Sequence, residues 1–290
     1  MTTKLEVQQG KRTEELEKMY DHACSLCDQN QIAEGIAVAE QLYSDEVAQG
    51  ISEEMLANTE DLVAQLFYKN KQYGEAITFC QKALGRRKKL SRENPKEHLP
   101  SVCASCNNLA LIFAENKQYD EAEELYQEAL AIDKALLDNG VKASIVGMVD
   151  TINNLASLLR RKENLKEAEK LHKKALAIRR KLAAKNAVFL KDVAVSCNNL
   201  ANLYCDLGQS EDAEKLYMEA LGIYETLAGK NPDVYLPDVA LTSKNLAILF
   251  KDTDRPKEAR HLLQEALNIF KAYMMKKEAA IVEDLLLFSV

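Results

Sequence analysis

EAEELYQEALAI at Glu121–Ile132, EAEKLHKKALAI at Glu167–Ile178, DAEKLYMEALGI at Asp212–Ile223 and EARHLLQEALNI at Glu258–Ile269 align without a gap. EAITFCQKAL at Glu75–Leu84 fits the same frame, and the five starts are 46, 46, 45 and 46 residues apart. Upstream of four of them lies a second block, NNLA at Asn107–Ala110, Asn153–Ala156 and Asn198–Ala201, and KNLA at Lys244–Ala247. A fixed period of this length marks a stacked array. A weaker first unit starts at Arg12 and holds EGIAVAEQLY at Glu34–Tyr43. The spacing predicts six units, near 12–50, 58–94, 102–139, 148–186, 193–231 and 239–275, between an N-terminal segment 1–11 and a last helix 276–290.

Each unit reads as two amphipathic helices. In the third, Leu109, Ala110 and Phe113 form one apolar stripe. After a short turn, Ala122, Leu125, Tyr126, Ala129, Leu130 and Ile132 form the next, at spacings of three and four. Ala110 and Ala122 place small side chains where helices cross, so Ala129→Phe is expected to overpack, at about 1–3 kcal/mol. Asn94-Pro95 and Asn231-Pro232 end helices, and Pro100 and Pro237 suit the first turn of the next.

Composition agrees with an all-α fold. Ala, Leu, Glu and Lys dominate, with only ten Gly and five Pro in 290 residues. Net charge −7 argues against nucleic-acid binding, which needs a basic footprint. No apolar stretch suits a membrane span. The first nine residues lack a secretory pattern. The seven cysteines are therefore expected reduced, in the cytoplasm. Cys24–Cys27 and Cys103–Cys106 have C-x-x-C spacing, but 76 residues part the pairs, and small buried helical positions explain them better than zinc. None of the four His has a metal-ligand partner at helical spacing, and His172 takes the place of Tyr126 and Tyr217, so it reads as a core aromatic. No catalytic motif occurs. Neither enzymatic activity nor a cofactor is expected.

The pattern N-L-A-x-x-[YF], a turn, then E-A-x-x-L-[YH]-x-x-A-L-x-I resembles the tetratricopeptide repeat (TPR). At 45–46 residues the unit is similar to the long repeats of kinesin light chains and related bacterial proteins. The resemblance implies a right-handed superhelical α-solenoid of about six helix hairpins plus a capping helix. It also implies a scaffold that holds a protein or peptide against the first helix of each hairpin. An adaptor-type signalling regulator and a structural assembly subunit are the alternatives.

On those first helices Asn108, Asn154, Asn199 and Asn245 could bind a peptide backbone, since an amide donates and accepts at once. The other reading is that they bridge neighbouring helices and fix the stack. Leu62 interrupts this column in the second repeat. Selectivity would come from Asn107, Asn153, Asn198 and Lys244 one residue earlier, Ser157 and Asn202 three later, and Arg160 and Lys251 six later. From Leu155 to Lys185 eleven basic residues face three acidic ones. An acidic partner segment follows if Arg160 and Arg161 are available, and solvated or paired charges are the alternative. Arg86–Lys89 with Arg92 is expected to be a solvated face. Glu278–Val290 is expected to cap the last repeat with Ile281, Val282, Leu285 and Leu286 on one side; its rival role is self-association through the tail.

Overall fold

The computed structural model describes residues 2–142 and 144–287. Thirteen α-helices lie within them: α1 Thr2–Asp28, α2 Ile32–Gln49, α3 Glu53–Lys69, α4 Tyr73–Glu93, α5 Pro95–Glu115, α6 Tyr119–Asp138, α7 Ser144–Arg161, α8 Leu165–Ala183, α9 Leu190–Asp206, α10 Ser210–Ala228, α11 Pro232–Asp252, α12 Pro256–Ala272 and α13 Lys276–Leu287. A 3-10 turn at Ala187–Phe189 precedes α9. No described residue is in a strand. Helix α1 begins ahead of Arg12, so the first repeat's helix runs on through residues 2–11. The residues beyond the common 34-residue repeat lengthen helices, which reach 21 residues in α4, α5 and α11, while the turns inside hairpins stay short.

Alanine sets how closely these helices pack. Ala110, Ala156, Ala201 and Ala247 on first helices are fully buried, as are Ala122, Ala168, Ala213 and Ala259 and then Ala129, Ala175, Ala220 and Ala266 on second helices. A methyl group at each crossing lets two backbones approach, and Leu and aromatic side chains fill the space beside it. Tyr126, His172 and Tyr217 occupy one buried position in three successive repeats, so His172 is a core ring.

Every turn inside a hairpin closes in the same way. Its second residue adopts a left-handed conformation: Asn30, Lys71, Lys117, Glu163, Gly208 and Asp254, with φ between 58° and 71°. The N–H three residues past each helix end then reaches back to the carbonyl five residues earlier, as in Gln72 to Phe67, Gln118 to Phe113 and Gln209 to Tyr204, at 2.8–2.9 Å. This is a Schellman-type closure, which satisfies carbonyls that the helix end would orphan.

The turns between hairpins correct one expectation. Pro95 and Pro232 begin α5 and α11, at the position where a missing N–H costs nothing. Pro100 and Pro237 therefore lie inside those helices rather than in their first turn. Pro100 faces the carbonyl of Lys96, an exposed residue that water can serve.

The chain divides into two compact units, Met1–Asn154 and Leu155–Val290, with the boundary inside α7. In the first unit α1 to α6 pack each on the next, and the first helices α1 and α3 also touch. In the second unit α8 to α13 pack in the same way, and α9 touches α11. Helix α13 lies against α12 with Ala279 and Val282 buried, and Lys271 pairs with Glu283 at 2.7 Å. Ile281 points outward instead, because the helix buries only the narrow strip that a single neighbour covers. Of the apolar tail 285–290, the last three residues lie outside the described set.

Candidate functional site

The two adjacent Asn positions of each first helix lie about 100° apart around the axis and have different surroundings. At the earlier position Asn107 Nδ2 donates to Thr151 Oγ1 of the next repeat at 2.7 Å and to its own helix at Cys103 C=O. Asn198 Nδ2 donates to Thr242 Oγ1 at 2.8 Å. Both threonines send their own proton four residues back, to Gly147 C=O and Asp238 C=O, which leaves a lone pair for the amide. Asn153 is buried. This position joins repeats.

The hydroxyl it meets belongs to a column that sequence reading overlooked. Thr59, Ser105, Thr151, Ser196 and Thr242 recur at the repeat spacing, two residues before the Asn position, and all are buried. At Ser105 and Ser196 an arginine on the preceding second helix is a donor. Arg87 joins Asp61, Ser105 Oγ and Asn58 Oδ1, and Arg179 donates to Ser196 Oγ at 2.7 Å and Asp192 C=O at 3.1 Å. The same slot, at the repeat spacing, holds Arg87, Asp133, Arg179, Tyr224 and Phe270. Ser105, Thr151, Ser196 and Thr242 are thus each met from a neighbouring helix while that slot varies, and Thr59 Oγ1 is not met.

This corrects the expectation for the basic run of α4. Arg86 binds the fully buried Glu60 and also Glu53, Lys88 binds Glu128, and Lys89 binds Glu53. These cations tie helices together, through partners 26 to 40 residues away that no local pattern announces.

The later Asn position behaves differently. Asn108 is exposed, and Asn154, Asn199 and Asn245 are half-buried. Among the described residues none of these four amides has a side-chain hydrogen bond. In the first unit Asn108 lines a cavity of about 460 Å³ along α1, α3 and α5. Tyr20, Gln65 and Tyr68 offer phenols and an amide there, beside Leu62, Leu111 and Ile112. Its charged groups are already engaged: Asp61 pairs with Arg87, and Lys69 donates to the Cys27 carbonyl at 3.1 Å. Burial pushes the Asp61 carboxyl up, against the pull of Arg87. The wall thus sets polar groups along apolar patches, with Leu111 41% exposed.

In the second unit the remaining candidates are mostly engaged. Arg160 pairs with Asp206 through two bonds, the longer at 3.0 Å, which holds the guanidinium charged. Asn202 Oδ1 accepts from the Tyr217 hydroxyl. Lys251 reaches the carbonyl of Leu285 at 3.3 Å and so fastens the end of α13. Lys244 is half-buried; Ser157 and Arg161 each have a partner within the protein. Arg180 pairs with Glu219, Lys170 with Glu167, and Lys173 with Glu169.

The seven cysteines are free, and burial pushes the Cys106 thiol up to about 12. No group of three or more metal-ligating side chains occurs among the described residues, and no described helix is long and apolar enough to cross a membrane.

Comparison with solved structures places this architecture among known ones. BtubC (BKLC) from P. vanneervenii is similar with a TM-score of 0.62 and 22% identity, over 89% of this chain and 92% of that one. Kinesin-light-chain-type TPR-like repeats from Podosopora anserina match with a TM-score of 0.57 and 23% identity, over 74% of this chain and 96% of that one. NprR in complex with its cognate peptide NprX matches with a TM-score of 0.62 and 14% identity, over 98% of this chain and 77% of that one. A comparison with curated proteins returned no match. The tetratricopeptide repeat model matches residues 55–135, 148–226 and 192–272, more than half of the chain. With hairpins at the same period and alanines at every crossing, the chain belongs to the tetratricopeptide repeat family.

Proposed function

We propose that the chain is a protein-interaction module, not an enzyme, and that the first helices of each unit hold an extended peptide or protein segment. One observation carries this reading: of two adjacent Asn positions, the earlier donates to the next repeat at Asn107 and Asn198, and the later makes no side-chain hydrogen bond. A half-exposed amide with free donors and acceptors is suited to a peptide backbone, which presents the same two groups at every residue. Asn108 and Asn154 would serve the first unit, Asn199 and Asn245 the second. The fold likeness to NprR, solved with its peptide NprX, is compatible with this use.

The finer reading concerns the second unit. An acidic segment would be held there by Arg160 and Arg161, with a ligand carboxylate exchanging for Asp206 on Arg160. The place of action is the cytoplasm.

Peptides selected from a random display library on the full chain test both parts. Asn108→Ala with Asn154→Ala is expected to weaken peptides bound by the first unit at least tenfold, with thermal stability kept. Unchanged affinity removes the backbone-clamp reading. Arg160→Glu with Arg161→Glu is expected to abolish acidic peptides at physiological salt. Equal binding by wild type and variant removes the acidic-segment reading.

A further inference from the structure

A second cavity of about 310 Å³ opens beside the first, between α1, α2 and α3. Tyr20 and Asn58 line both, so the two are neighbours along α1 and α3. The three charged residues lining the second cavity, Glu17, Asp21 and Glu46, are all acidic. Glu17 and Asp21 are exposed, which alone would mean a solvated surface. Glu46 is different. It is 2% exposed, and its Oε2 atom has no hydrogen-bond partner. Thr59 beside it is 1% exposed, and its Oγ1 atom also lacks one.

A buried carboxylate oxygen without a partner is costly, and native structures rarely keep one without a use. Its closest acidic neighbour in the core, Glu60, shows the contrast: it is fully buried too, but Arg86 meets it at 3.0 Å. No protein cation does the same for Glu46 among the contacts described. Burial pushes the Glu46 carboxyl up, against the pull of the neighbouring Thr59 hydroxyl, and the like charge of Glu60 adds to the rise. The remaining walls suit an aliphatic stem that ends in a charge: Leu16 and Met55 are apolar, and the Tyr20 ring can face a cation.

We propose that this cavity is an anchor pocket for a cationic side chain, a lysine ammonium or an arginine guanidinium, carried by the segment that the first helices hold. Glu46 accepts the charge at the base, Thr59 Oγ1 accepts a second donor, and Glu17 and Asp21 attract the cation at the rim. A metal ion fits less well, because no third ligating group joins the set among the described residues. The pocket rests on the peptide-holding reading only for where the cation comes from, and it is testable without that reading.

The full chain is titrated with Nα-acetyl-arginine amide and, separately, Nα-acetyl-lysine amide, with the neutral citrulline derivative as control. Backbone amide shifts of Tyr20, Glu46 and Thr59 are followed by NMR. Saturable shifts at these residues are expected with one or both cations and none with citrulline; which cation binds tighter identifies the preferred head group. Glu46→Gln is expected to weaken binding at least tenfold. Asp21→Asn, on the surface and harmless to folding, is expected to weaken it two- to threefold. Absence of saturable shifts, or equal binding by Glu46→Gln, overturns the proposal.

Display selection on wild type and Glu46→Gln then tests the source. A basic residue at a fixed position is expected in peptides selected by wild type and is lost with the variant. Cation binding at Glu46 with no peptide enriched by either protein overturns the peptide origin and the holding function together, while the pocket's chemistry stands.

Discussion

Up to Asn154 the chain carries 16 Lys and Arg against 26 Asp and Glu, a net −10; from Leu155 onward it carries 22 against 19, a net +3. The bias continues into the interior. Among the described residues the buried carboxylates are Glu46, Glu60 and Asp133, all in the first unit. The buried basic side chains are His172 and Arg179, both in the second. Yet the two units share one apolar pattern, one set of crossing alanines and one hydroxyl column. Stacking depends on those shared features. The slot facing the hydroxyl is free to differ, and so one scaffold carries buried carboxylates in one unit and buried basic side chains in the other.

Breaking the buried charge of the first unit has the largest expected effect. Arg86→Ala leaves Glu60 buried and unpaired and is expected to cost about 3–5 kcal/mol in urea unfolding. Adding Glu60→Gln should recover most of it, and hydrogen exchange should place the loss in residues before Asn154. In the second unit the corresponding change is smaller. Arg179→Leu removes the donor that Arg179 gives to the buried Ser196 Oγ, at about 1–3 kcal/mol.

The two units should also respond to pH in opposite directions. Burial pushes the Asp133 carboxyl up to about 6, so the folded chain holds that proton more tightly than the unfolded one. Its stabilising contribution is complete below about pH 4 and is lost as pH rises through about 6. His172 is pushed down to about 4 by burial, then by Arg160 and Arg179. Its contribution is complete above its ordinary value of 6.5 and is lost as pH falls toward 4. Asp133→Asn should therefore raise the urea midpoint more at pH 7.5 than at pH 5, and His172→Phe should do the reverse. Each difference is on the order of 1–2 kcal/mol. The smallest effect separates the two Asn positions. Asn198→Ala should cost about 1 kcal/mol, while Asn199→Ala stays within about 0.5 kcal/mol in thermal unfolding.

The repeat was legible because its period is written in residues that packing cannot vary. Alanine at a crossing and Leu or an aromatic beside it recur at every 45 or 46 positions, and the helices follow. The site was legible only in part. The sequence marks both Asn of each pair alike; which one turns toward the next repeat depends on the angle between hairpins, a tertiary quantity. Its other partner was visible in principle, since Ser105, Thr151, Ser196 and Thr242 keep the repeat spacing. Arg87 reads as a solvated cation in the sequence, because 26 residues separate it from Asp61, the other half of its ion pair. The buried, unpartnered Oε2 of Glu46 has no local signal at all, since a lone Glu on a helix reads as solvent-facing.

The left-handed turns have a consequence for how this repeat can change over time. Six hairpins use the same backbone conformation, and only Gly208 is the residue that adopts it without steric cost. Lys71, Lys117 and Glu163 accept a strain of about 1 kcal/mol each, imposed by the helices on either side. A lineage that alters a groove amide or an anchor carboxylate, and loses some stability by it, can regain that loss with a glycine at one of these turns, far from the altered contact. Specificity and robustness are thus written in different residues, and either can drift while the other is held.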